Sequence, residues 1–155
     1  MKKGFTLIEL LVVVALFLIL GAVVVVNLAG RRVDTDVVAT TKQIATLLRQ
    51  AQSDSMAQEG GISWGVHFAN NTSGRPTYAL FKGSYSTSTI VGQYLLPTSV
   101  AYQTSTLASG AALDIIFSQI TGAASASTSI GLYMPNENTA FSSTISIASD
   151  GEVSY

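Results

Sequence analysis

Phe5-Thr6-Leu7-Ile8-Glu9-Leu10-Leu11 opens an apolar run that continues, without a charge after Glu9, as far as Gly30. As a helix rising about 1.5 Å per residue, Leu10–Gly30 spans about 31 Å, close to the roughly 30 Å hydrocarbon core of a bilayer. Lys2 and Lys3 flank one end and Arg31 and Arg32 the other, so basic residues alone assign no orientation. A cleaved secretory signal has a shorter apolar region, about 7–15 residues, followed by small residues at the cut. Asn27-Leu28-Ala29-Gly30 matches that site poorly, which favours an anchor that stays with the chain.

Glu9 is the residue in this run that needs a physical reason. Insertion scales put an acidic side chain at mid-membrane at a cost of about 2.5–3.5 kcal/mol, less near an end. The positive end of the helix dipole favours it at the level of the headgroups. No side chain within one helical turn supplies a cation. An α-amino group would, if the chain were cut just before Phe5.

Lys2-Lys3-Gly4-Phe5-Thr6-Leu7-Ile8-Glu9, with the long apolar helix behind it, resembles the leader of a type IV prepilin or pseudopilin. The shared features are a short basic leader ending in glycine, a phenylalanine next, and glutamate at the fifth mature position. The resemblance implies cleavage between Gly4 and Phe5 by a prepilin peptidase on the cytoplasmic side. It also implies N-methylation of Phe5 and packing of the apolar helix among other pilin or pseudopilin subunits in a filament core. Glu9 would then meet the free N-terminal amine of a neighbouring subunit, so that processing and assembly are coupled. In a low-dielectric core that pairing offsets the desolvation of both groups. Many major pilins have proline where this chain has Val26, and the first proline here is Pro76. The helix should be less readily kinked there, which leans toward a minor subunit.

Beyond Arg32 the pattern becomes periodic. Val37, Ile44, Leu48 and Ala51 fall near one helical face with Leu47 beside them, while Lys42, Gln43, Arg49 and Gln50 lie elsewhere. A helix is expected over Val33–Gln58, stopped by Gly60-Gly61 and packed on a sheet. It forms one rod with the apolar helix unless Gly30 or Asp34-Thr35-Asp36 breaks it. The two aspartates read as capping or solvated groups, since the other oxygen ligands of a calcium loop are missing. The stretch Leu47–Ala57, followed by Gly60-Gly61 and a strand, resembles the GspH/FimT-like minor pseudopilins, in which such a helix enters a small β-domain.

From Gly60 onward hydroxyls take the place of charge: 28 of 96 residues are Ser or Thr and six are charged. Ile62, Trp64, Val66 and Phe68 alternate as one face of a strand, with Ser63, Gly65 and His67 opposite. Further strands are expected at Tyr78–Lys82, Ile90–Leu96, Leu113–Phe117, Ile130–Tyr133 and Thr144–Ala148, and exposed loops at Ser84–Thr89 and Ala123–Ser129. Asp150-Gly151 near the end favours a two-residue type I′ hairpin.

Several function classes find no footing. Val33–Tyr155 carries four basic against eight acidic residues, the reverse of what a phosphate-neutralising nucleic-acid binder needs. Gly61-Ile62-Ser63-Trp64-Gly65 matches G-x-S-x-G, but that hydrolase turn needs a strand before the serine, a helix after it and a later histidine. Here a helix precedes, a strand follows, and the one histidine, His67, lies ahead of Asp114 and Asp150. His67 should face solvent or satisfy a local hydrogen bond. One histidine and no cysteine make a zinc site implausible. Asp114 and Glu137 show no pairing legible in sequence. No catalytic residue, metal ligand or cofactor is expected.

The expectation is therefore an α+β, type IV pilin-like chain. Residues 1–4 form a leader, 5–30 a transmembrane and filament-core helix, 31–59 an amphipathic stem, and 60–155 a head built on a small antiparallel β-sheet. The resemblance implies a single-pass protein of the inner membrane, N-terminus cytoplasmic and head outside, acting as a GspH-like minor pseudopilin of a type II secretion pseudopilus or a type IV pilus. A major type IV pilin, or a FimT-like minor pilin in DNA uptake, stands as the alternative.

Overall fold

The computed structural model describes residues 6–135 and 142–155, and only the backbone over residues 22–34. The chain is α+β. One long helix, α1 (Leu7–Met56), precedes eight strands: β1 (Trp64–Ala69), β2 (Thr77–Lys82), β3 (Ile90–Leu95), β4 (Ala101–Tyr102), β5 (Ala112–Phe117), β6 (Thr128–Tyr133), β7 (Ser142–Ile147) and β8 (Val153–Ser154). It divides into two compact units, Met1–Thr35 and Asp36–Tyr155.

In the first unit the described side chains of α1 find no core. From Leu7 to Leu20 the large apolar residues are exposed by 41% to 81%. A helix apolar all round is stable only where something else covers it, lipid or protein. Among the described residues no helix is long and apolar enough to cross a membrane. The span expected over 5–30 takes in residues 22–30, whose side chains lie outside the described residues.

The second unit builds a core on the C-terminal half of α1. Val37, Ile44, Leu48 and Ala51 are fully buried and Leu47 nearly so, the face expected from their spacing. Thr41 is also buried there, its hydroxyl bonded back to the Val37 carbonyl at 2.7 Å. The stop comes slightly earlier than expected: α1 ends at Met56, and Gln58 itself takes the left-handed conformation (φ 54°) before a 3-10 turn at Glu59–Gly61.

The head holds two four-stranded antiparallel sheets rather than the one expected, in the orders β3-β2-β1-β5 and β4-β6-β7-β8. Val66, Phe68, Leu80 and Phe117 of the first and Ile130, Leu132, Ile145 and Ile147 of the second are buried. Tyr102 on the short strand β4 joins them: its ring meets Phe68 edge-on at 6.3 Å, and its hydroxyl donates to the Thr77 carbonyl at 3.2 Å. Burial, with Tyr78 adding to it, pushes the Tyr102 phenol far above its ordinary value.

Other expectations are corrected in detail. Asp36 lies inside α1 rather than at a cap, and its carboxylate accepts a bond from the Ser99 hydroxyl at 2.7 Å. Ala123–Ser129 is not simply a loop: Ala124 bridges Phe117, and Thr128 and Ser129 begin β6. The closing turn is not type I′, which needs two positive φ angles. Ala148 and Glu152 face each other across three residues, the Gly151 N–H bonds the Ala148 carbonyl, and among the described residues of that turn only Gly151 (φ 92°) is left-handed.

Candidate functional site

The residues expected to matter for assembly lie at the start of α1. Gly4 and Phe5, the expected cleavage and methylation positions, lie outside the described residues. Thr6 is the residue on which the helix begins. Its carbonyl accepts from Leu10 N–H at 3.3 Å, and the Glu9 N–H meets both that carbonyl (3.2 Å) and the Thr6 hydroxyl (3.4 Å). This is the threonine half of a capping box, T-x-x-E, which satisfies donors that a helix start otherwise leaves open. The three-residue spacing of Thr6 and Glu9 that makes this cap is legible in the chain.

The cap fixes the place of Glu9. Its carboxylate stands in the first turn, at the positive end of the helix dipole, on an exposed and otherwise apolar surface. Among the described residues the one close contact between a basic side chain and a carboxylate is His67–Asp114, so Glu9 has no cationic side chain within reach there. The arrangement offers an acceptor, an electropositive helix end beside it, and an apolar surround that would exclude water once covered.

A second set of contacts, missed from sequence, fastens α1 to the head. Ser55 is fully buried; its Oγ accepts the Trp64 N–H at 2.6 Å and donates to the Phe117 carbonyl at 3.0 Å. It thereby clamps the ends of β1 and β5. Gln52 Nε2 donates to the Gly122 carbonyl at 3.0 Å, and Arg49 donates to the Val153 carbonyl at 2.9 Å while lying over the Tyr155 ring. No local pattern would have revealed these bonds, because most of the partners are scores of residues away.

The head's own candidates behave otherwise than expected. His67 is 7% exposed, and its Nδ1 lies 2.5 Å from the Asp114 carboxylate. The Tyr85 ring stacks on it, centroids 3.5 Å apart. The expectation of a solvent-facing or locally bonded histidine fails because Tyr85, on the loop after β2, folds over that face of the sheet. Asp114, unpaired to the eye in sequence, stands opposite His67 in the β1–β5 register. The structure thus directs His67 to Asp114 and not to Ser63, whose carbonyl accepts the Gly83 N–H. Glu137 lies outside the described residues. Among the described residues no group of three or more His, Cys, Asp or Glu side chains gathers.

Residues 1–25 match the prokaryotic N-terminal methylation motif, the type IV prepilin-like signature. That motif implies a membrane-anchored precursor, processed by a prepilin peptidase and assembled with other pilins. No curated protein and no solved structure matches the chain.

Proposed function

We propose that this chain is a minor pseudopilin, of the GspH-like kind, in a type II secretion pseudopilus or a type IV pilus. It acts mechanically rather than catalytically. The observation that carries the reading is the methylation motif at residues 1–25 set on a helix start whose large apolar side chains, from Leu7 to Leu20, are exposed. Cleavage between Gly4 and Phe5 leaves an ammonium one residue ahead of the Thr6 cap. In the filament that ammonium meets Glu9 of a neighbouring subunit, and the apolar surfaces of Leu7–Leu20 cover one another. Before assembly the same surface rests in the inner membrane, with the head outside. Full burial of each large apolar side chain is worth about 1.5–3 kcal/mol. The carboxylate–ammonium pair therefore acts chiefly on register, because an unmatched charge in that core is strongly disfavoured.

The head presents a surface and needs no cofactor or metal. A DNA-uptake role has less support, since the closing hairpin exposes Asp150 and Glu152, and both repel phosphate. The test is incorporation of Glu9→Ala into filaments. The variant should insert in the membrane and be processed normally, yet fall at least tenfold in sheared filaments. Unchanged incorporation would contradict the amine pairing.

A further inference from the structure

Between α1 and strands β2 and β3 of the first sheet lies an open cleft of about 470 Å³. Lys42, Thr46 and Gln50 recur at four-residue spacing and so share one side of the helix, with Gln43 beside them. The opposite wall is Tyr78 on β2 and Tyr94 on β3, directly paired in register. Their rings stack with centroids 5.3 Å apart and planes within 20°. Tyr78 is buried, but Tyr94 is 46% exposed. Gly92 makes room for that ring: a Cβ there would stand 3.1 Å from the Tyr94 hydroxyl and 3.4 Å from ring carbons.

The polar groups have defined roles. Gln43 Oε1 accepts the Tyr78 hydroxyl at 3.4 Å, which leaves its amide N–H groups to donate. The Thr46 hydroxyl spends its proton on the Lys42 carbonyl at 2.8 Å, which leaves its lone pairs to accept. Lys42 is the one charged side chain among the described residues that line the cleft. A half-exposed aromatic face, fixed donors, a fixed acceptor and one ammonium select a ligand that is flat and C–H-rich on one side, has hydroxyls at its rim, and carries a negative charge. We propose that the cleft binds an acidic saccharide: a sugar ring stacked on Tyr94, its hydroxyls held by Gln43, Thr46 and Gln50, its carboxylate by Lys42. A proline-rich segment would also suit an aromatic wall, but its carbonyls only accept, and Thr46 would go unused.

The test uses the full chain in a sugar-free detergent, titrated calorimetrically with a short oligogalacturonate, a neutral N-acetylglucosamine oligomer of equal length, and a polyproline peptide. The uronate should bind saturably and more tightly than the neutral sugar. Tyr94→Ala should weaken it about tenfold or more, the loss of one stacking contact worth about 1.4 kcal/mol. Lys42→Gln should reduce uronate binding to the level of the neutral sugar and leave the latter unchanged. Gln50→Ala, an exposed helix position that tolerates alanine, should weaken both sugars several-fold. Absence of saturable uronate binding at millimolar concentration, equal affinity in Tyr94→Ala, or tighter binding of polyproline would each overturn the proposal.

Discussion

Ser55→Ala probes the clamp between α1 and the head. The substitution removes a fully buried hydroxyl that bonds the Trp64 N–H at 2.6 Å and the Phe117 carbonyl at 3.0 Å. Two neutral bonds at about 1 kcal/mol each, with some desolvation of the groups they leave, give a loss of about 2–3 kcal/mol. Alanine returns about 0.5 kcal/mol of helix propensity, so the net loss is about 2 kcal/mol. For a unit of this size that lowers Tm by about 6–10 °C. Trp64 is the only tryptophan and adjoins the change, so its fluorescence during urea unfolding of the full chain in micelles reads the effect locally. Ser53→Ala, two positions away and exposed, measures the propensity gain alone. If the two variants unfold within about 0.5 kcal/mol of each other, the hydroxyl does not hold the strands to the helix.

Three further outcomes are expected at other positions. Gly151→Ala should cost about 2–4 kcal/mol, because φ is 92° and a Cβ would strike the Gly122 carbonyl and the Gln52 amide; urea titration checks it. Tyr102→Phe should cost about 1 kcal/mol at neutral pH by losing the bond to the Thr77 carbonyl. Because the buried phenol titrates above its unfolded value, the native protein binds protons that the unfolded chain releases, and stability falls as pH rises past about 10. Tm measured from about pH 8 to about pH 12 should show that fall in the wild type, and a shallower one in Tyr102→Phe. Glu9→Ala should stay membrane-bound and processed while nearly vanishing from sheared filaments, as quantified by immunoblot.

What could be read from sequence, and what could not, divides along the range of the interactions. The buried face of Val37, Ile44, Leu48 and Ala51 was legible because helical spacing alone defines it. Trp64, Val66 and Phe68 were legible as one side of β1 for the same reason, but Ile62, expected on that face, precedes the strand and is exposed. His67 was misjudged because its burial comes from Tyr85, eighteen positions on, a contact that alternation does not encode. The split into two sheets depends on which strands pair, and the Pro97–Val100 turn between β3 and β4 does not reveal it. The closing turn went astray by a finer margin. Asp-Gly suits both a two-residue turn and a three-residue one, and the pairing of Ala148 with Glu152 chose the latter. At the N-terminus the chemistry was legible from one misplaced charge. Glu9 stands exposed in the first turn, and the matching motif covers residues 1–25.

The claim on which the functional account rests is that a new N-terminus is made at Phe5. Intact-mass spectrometry of the chain purified from cells that make a prepilin peptidase tests it directly. The account expects a species that lacks residues 1–4 and carries about 14 Da for one methyl group on the Phe5 amine. A chain still beginning at Met1, or cut anywhere other than between Gly4 and Phe5, would contradict it.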